Sequence, residues 1–76
     1  MNIDVIISNK NFTIIRDNFT NTYHCYSYCK PIANYDNRNK RFYVNHSLVN
    51  SVLNKHHVKE FREIVNRLCN NLFNQY

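Results

Sequence analysis

The sequence predicts an α+β fold in which an antiparallel sheet of three to four strands is followed by helices. In the first 45 residues, apolar and polar side chains alternate, as they do in a half-buried strand. From Ser47 onwards, apolar side chains recur every three or four residues, as they do in an amphipathic helix. A chain of 76 residues has room for one small domain, 1–76, and buries so little surface that a binding partner is expected.

Four stretches have the alternation of a strand, at about 3–8, 12–16, 22–29 and 41–45. In the first stretch, Ile3, Val5 and Ile7 are predicted to share the buried face. The polar residues 9–11 then have the length of a hairpin turn. We therefore expect the first two strands to form a hairpin.

The third stretch has two distinct faces. One face carries Tyr23, Cys25, Ser27 and Cys29, and the other carries His24, Tyr26 and Tyr28. Either face could lie under a helix. Lys30 and Pro31 are expected to end this strand, because proline lacks a backbone N–H and restricts the residue before it. Residues 34–40 are predicted to be a loop, followed by a short strand that turns Phe42 and Val44 to the core.

Two helices are predicted, a short one at about 47–54 and a longer one at about 57–74 that packs on the sheet. Ser47 is the expected N-cap of the first helix. On a helical wheel, the apolar residues before position 54 lie opposite those after position 57. A single straight helix would have to bury both sides, so the pattern favours a break at 54–57.

The sequence contains no glycine, and this limits the chemistry available to it. Phosphate-binding loops and dinucleotide-binding turns need glycine for tight turns and close approach to the ligand. The chain has only five carboxylates and no glycine-rich turn that could form an oxyanion hole. We expect a protein that is not an enzyme, with no catalytic residues and no cofactor.

Three cysteines and four histidines could in principle bind a metal. On one strand, however, Cys25 and Cys29 would lie about 13 Å apart, too far to share a zinc ion or form a disulfide. We therefore predict no metal ligands. A small zinc-binding module is a minor alternative that requires residues 23–29 to form a turn or helix.

Basic and aromatic residues cluster between Lys30 and Tyr43. Cations neutralise phosphates and aromatic rings stack on unpaired bases, so this cluster is a candidate contact for a partner or a nucleic acid. The candidate residues are Lys30, Tyr35, Arg38, Lys40, Arg41 and Tyr43, extended across the sheet by Tyr26 and Tyr28. The alternative is that the tyrosines are core residues and the charges belong to an ordinary solvated loop.

The last residues continue the apolar stripe of the long helix. Leu72, Phe73 and Tyr76 are candidates for a homodimer contact or a docking surface, with burial in the core as the alternative.

Composition suggests the biological setting. Phe, Tyr, Met, Ile, Asn and Lys, which are encoded by A/T-rich codons, dominate the chain, and the first residues lack the features of a signal peptide. We expect a cytoplasmic accessory protein of a phage, virus or mobile element that binds and inhibits a host protein or nucleoprotein complex, as anti-CRISPR proteins do, without inserting into a membrane. A formal charge of +5 excludes mimicry of DNA. The alternative is a small basic protein that binds DNA or RNA directly.

Overall fold

The computed structural model describes residues 2–69. These residues form an antiparallel β-sheet followed by a C-terminal α-helix, which confirms the α+β class. The elements are β1 (Ile3–Ser8), β2 (Phe12–Asp17), β3 (Thr22–Ser27), β4 (Lys30–Asp36), β5 (Arg41–Val44) and α1 (Val52–Cys69). The sheet therefore has five strands rather than three or four, and the predicted short helix is absent from the described residues.

The sheet is a meander in which the spatial order of the strands, β1-β2-β3-β4-β5, is their order in the chain. Three of its turns begin with the same device. Asn9, Asp17 and Asp36 each use a side-chain oxygen to accept the backbone N–H groups two and three residues further on. Such Asx turns reverse the chain without glycine.

β1 contains a bulge that changes which of its residues are buried. Its pairing with β2 shifts between Val5 and Ile7. As a result, Ile6 and Ile7 both pack against the core, whereas Ile3 and Val5 are 44% and 61% exposed. The prediction that Ile3, Val5 and Ile7 share one face is therefore wrong, because a bulge breaks the two-residue period.

β3 and β4 are joined by a two-residue turn, so β3 ends at Ser27 and not at residue 29. Tyr28 and Cys29 occupy the turn with φ angles of 52° and 68°, and Ser27 pairs with Lys30. Positive φ at both central residues is the signature of a type I′ hairpin. The strand predicted for 22–29 is in fact a strand and a turn.

β4 begins at Lys30 and includes Pro31, where the sequence predicted a strand end and a loop. Because Ser27 and Lys30 close the hairpin, the next pair, Tyr26 and Pro31, falls at a position where β3 makes no ladder hydrogen bond. The N–H that proline lacks is therefore not needed there. A bulge follows, and Ile32 and Ala33 are both buried.

α1 is one continuous helix that starts later than predicted. Ser51, not Ser47, is its N-cap: the Ser51 hydroxyl accepts the N–H of Asn54 at 3.1 Å, and its carbonyl accepts that of Lys55. Ser47 instead donates to the side chain of Asn45 in a turn. The helix continues through 54–57. It does not have to bury two opposite sides, because Val52 on the second side is exposed (86%).

The core lies between α1 and the sheet face that carries Cys25. His57, Phe61 and Val65, spaced one turn apart, are the buried residues of α1. They pack against the buried side chains of that face, among them Ile14 and Cys25. The buried apolar residues are Phe12, Ile14, Tyr23, Cys25, Ile32, Ala33, Tyr35, Phe61 and Val65. The helix thus covers the cysteine face of β3, which settles a choice that the sequence left open.

No helix within residues 2–69 is both long enough and apolar enough to cross a membrane. The end of the predicted long helix, with Leu72, Phe73 and Tyr76, lies outside the described residues.

Candidate binding surface

The structure divides the predicted basic and aromatic cluster between the two ends of β4. Lys30 begins this strand and Asp36 ends it, so the two residues are about 20 Å apart. Arg38 and Lys40 lie in the turn beyond Asp36, and Arg41 begins β5. Lys30 therefore does not share a surface patch with the other three cations.

Two of the predicted tyrosines do not lie on the surface expected for them. Tyr35 is 0% exposed and its ring packs 6.4 Å from those of Tyr23 and Phe42. Burial, together with nearby Cys69, raises the pKa of the Tyr35 hydroxyl to about 12. Tyr28 was predicted to share a face with Tyr26, but it lies in the turn and not in the strand. Its ring is therefore on the helix side, 6.4 Å from the ring of His57.

Tyr26, Arg41 and Tyr43 lie on the sheet face opposite α1, which we call the open face. Its central row crosses all five strands through the pairs Val5–Ile15, Ile15–His24, His24–Asn34 and Asn34–Tyr43. None of these five residues is buried, and Val5 and Tyr43 are 61% and 48% exposed. A row of two aliphatic side chains, two aromatic rings and one amide is thus left uncovered by residues 2–69.

The charged residues of the open face lie at one end of it. The row nearest the turns 18–21 and 37–40 contains Asp17, Asp36 and Arg41. The row on the other side contains Thr13, Tyr26 and Pro31, without charge. The centre of the open face therefore carries no carboxylate, lysine or arginine, and the groups of these types in its three rows lie at the rim.

Sequence reasoning missed Val5 and Ile15 as surface residues of this face. The bulge in β1 redirects Val5, and no residue in Ile3–Ser8 indicates a bulge. Ile15 could have been found, because strict alternation through β2 puts it opposite Phe12 and Ile14.

A buried polar cluster lies on the other side of the sheet, under the start of α1. The Ser27 hydroxyl lies 2.7 Å from Nδ1 of His57 and accepts the side-chain amide of Asn54 at 3.0 Å. The hydroxyl can donate to Nδ1 or accept from it, depending on which ring nitrogen of His57 carries the proton. The imidazole stacks on Phe12 with ring centroids 4.7 Å apart.

The hydrogen bond between Ser27 and His57 resembles that between a catalytic serine and its base. The pair is not accessible to a substrate, however. Ser27 is 0% and His57 is 6% exposed, so a substrate does not reach the hydroxyl in the folded chain. Burial lowers the pKa of His57, with Glu60 partly opposing this effect and His56 adding to it. The cluster pairs Ser27 with His57 and Asn54 and so links α1 to β3.

The cysteines are separated from one another and remain thiols. Cys25 is buried in the core, and this burial raises its pKa to about 12. Cys29 is exposed in the type I′ turn, and Cys69 ends α1 near Tyr23. Among residues 2–69, no three His, Cys, Asp or Glu side chains are grouped closely enough to hold a metal ion, so the zinc alternative finds no ligand set in this part of the chain.

Comparisons with protein-family models, curated proteins and solved structures find no match to this chain. Its function must therefore be inferred from its own surface.

Proposed function

We propose that the protein is a non-catalytic binding protein that docks on another protein through its open face. The observation that supports this proposal is the central row of Val5, Ile15, His24, Asn34 and Tyr43, which carries no carboxylate, lysine or arginine. The centres of protein interfaces are depleted in charge and enriched in tyrosine, with polar groups at the rim. The open face has this arrangement.

A protein target fits the open face better than a nucleic acid does. The only Lys or Arg in its three rows is Arg41, and this row also contains Asp17 and Asp36. Nucleic-acid surfaces need several cations to neutralise phosphates. The rows of the open face supply one such cation, so by themselves they do not form a nucleic-acid surface.

The size of the open face limits the kind of complex. Five strands at about 4.8 Å spacing and six residues in length span roughly 400–500 Å². A standard interface buries about 800 Å² per partner. The adjoining turns must therefore contribute to a stable complex.

The setting that we propose is inhibition of a host protein or nucleoprotein complex by an accessory protein of a phage, virus or mobile element, in the cytoplasm of the host. This part of the proposal is supported by composition, namely the A/T-rich codon bias and the absence of glycine-dependent catalytic motifs. A single aromatic-rich face with few charges suits an inhibitor that acts by occupying a surface.

The test is affinity capture from the native host with three baits: the wild type, Val5→Lys and Val52→Lys. Both valines are exposed, at 61% and 86%, but Val5 is on the open face and Val52 begins the helix on the opposite side. The two variants thus make the same substitution on opposite sides of the sheet. We expect to capture a target protein that the wild-type and Val52→Lys baits retain and that the Val5→Lys bait does not. The purified wild-type protein should inhibit the activity of this target.

Two results would overturn the proposal. One is capture of the same proteins by all three baits. The other is the absence of any protein enriched over the Val5→Lys bait.

A further inference from the structure

We propose that the tips of the β2–β3 and β4–β5 hairpins form a second surface, which binds single-stranded nucleic acid. This hairpin-tip surface consists of Phe19, Arg38, Lys40 and Arg41. It is separate from the central row of the open face and does not depend on the proposed protein target.

The two hairpin turns are held together as one unit. The backbone N–H of Asn37 donates to the carbonyl of Asn21 at 3.1 Å, and their side chains are 3.4 Å apart. The guanidinium of Arg38 donates to the carbonyl of Phe19 at 2.9 Å. These contacts hold the two turns together and place the guanidinium of Arg38 at the backbone of Phe19.

The cations of this surface are not neutralised by ion pairs. Within residues 2–69, none of Arg38, Lys40 and Arg41 forms a salt bridge with a carboxylate. The nearby carboxylates are Asp17 and Asp36, and both accept backbone N–H groups of their own turns. Hydrogen bonds from Asn39 and its backbone, with Arg38 nearby, lower the pKa of Asp36, so it stays a turn-forming anion.

Phe19 adds a feature that an ordinary solvated turn lacks. Its side chain is 74% exposed at the tip of the β2–β3 hairpin. An exposed aromatic residue whose backbone is bound by an arginine matches the surfaces that stack unpaired bases while contacting their phosphates. A duplex hides its base faces, so the ring favours a single strand.

The probes are fluorescent single-stranded DNA and RNA of about 12 nucleotides, within the footprint of small single-strand-binding domains, measured by anisotropy against salt. A duplex of equal length and a polyglutamate peptide of equal charge are the competing ligands. With three cations contacting phosphates, the logarithm of the association constant should fall with the logarithm of salt concentration with a slope of about −2.

The charge test uses two matched pairs of substitutions. Lys40→Asn with Arg41→Gln removes two charges from the hairpin tips, and asparagine suits the φ of 58° at position 40. Lys59→Gln with Arg67→Gln removes two charges from exposed positions of α1. We expect the first pair to flatten the salt slope to about −0.7, the value for one remaining cation, and the second to leave it near −2.

The stacking test uses Phe19. Phe19→Ala should weaken single-strand binding about 5- to 150-fold, the loss of one stacked base, whereas Phe19→Tyr should retain it. Val5→Lys should bind the oligonucleotide like the wild type, so failure of this proposal and failure of the open face are distinguishable.

Each of four outcomes would overturn the proposal. These are no binding at low salt, equal losses from the two charge pairs, tighter binding to the duplex than to the single strand, and equal competition by polyglutamate, which would indicate an acidic protein surface as the ligand.

Discussion

Replacing Ser27 by alanine should destabilise the fold through the loss of one hydroxyl. In Ser27→Ala, Nδ1 of His57 loses its partner at 2.7 Å while the imidazole remains buried. Asn54 is only half-buried and can turn to water. One buried polar atom left without a partner costs about 1–3 kcal/mol, so we expect a loss of about 2 kcal/mol, or roughly 8–16 °C in Tm for a domain of this size.

The assay is urea unfolding and thermal melting followed by far-ultraviolet circular dichroism at pH 7.5. Ser8→Ala is the matched control, because Ser8 is exposed in β1, and its effect should stay within about 0.5 kcal/mol. If Ser27→Ala unfolds at the same urea concentration as Ser8→Ala, the buried cluster does not stabilise the protein and the reasoning is refuted.

The same cluster predicts the direction of a pH dependence. Burial lowers the pKa of His57 in the folded state, whereas the unfolded chain binds a proton with a pKa near 6.5. The unfolded state therefore takes up more protons as the pH falls below about 6.5, and the folded state loses stability. His57→Gln lacks this titration, so its stability should fall less between pH 7.5 and 5.5; parallel losses in the two proteins would exclude His57 as the cause.

Three further predictions concern the turn, the thiols and the core. Cys29→Gly should stabilise the fold by about 0.5–1 kcal/mol in urea unfolding. Glycine relieves the strain at φ 68°, and this gain is larger than the entropy that glycine adds to the unfolded chain. Cys29→Ala keeps a Cβ and should give no such gain, so equal gains from the two variants would contradict this explanation. Iodoacetamide at pH 8 should label Cys29 in the native protein and spare Cys25, whose thiol is buried with its pKa raised to about 12; mass spectrometry showing equal labelling would be inconsistent with the core. Phe61→Ala should cost about 3–5 kcal/mol, because its 0% exposed ring packs 5.4 Å from Phe42, and a calorimetric Tm close to that of the wild type would contradict this packing.

The predictable part of the fold is the part with regular periods. Alternation located β2 and β5 to within one residue, and helical spacing identified the apolar stripe after position 57, whose residues Phe61 and Val65 are buried. In both cases one face meets the core throughout the element. Local periodicity then reports tertiary burial directly.

The errors occur where backbone conformation, rather than side-chain pattern, decides. The type I′ turn at Tyr28 and Cys29 lacks the Asn-Gly signal that usually marks one, so the strand was predicted to continue through it. With that turn missed, Pro31 was read as a strand end, and β4 was missed as well. Burial of the cysteine face then followed from packing that the sequence alone could not decide.

The candidate site was predicted in part. Tyr26, Arg41 and Tyr43 do lie on the open face, but Tyr35 belongs to the core and Lys30 lies at the far end of β4. The basic and aromatic residues between Lys30 and Tyr43 are neighbours in the chain, but β4 holds Lys30 far from the others in space. Cross-strand neighbours such as Ile15 and His24, distant in the chain, are adjacent on the surface.

The meander order has a consequence for how the chain reaches its native state. Each strand pairs with the segment synthesised just before it, so the sheet can grow hairpin by hairpin as the chain emerges, with short loops to close at each step. Only α1 must cross back over strands already formed, and it does so where β3 and β4, the middle of the chain, meet it. In a chain whose sheet forms before the helix docks, both faces of the sheet are solvated, and a chaperone or a premature partner would act on that species.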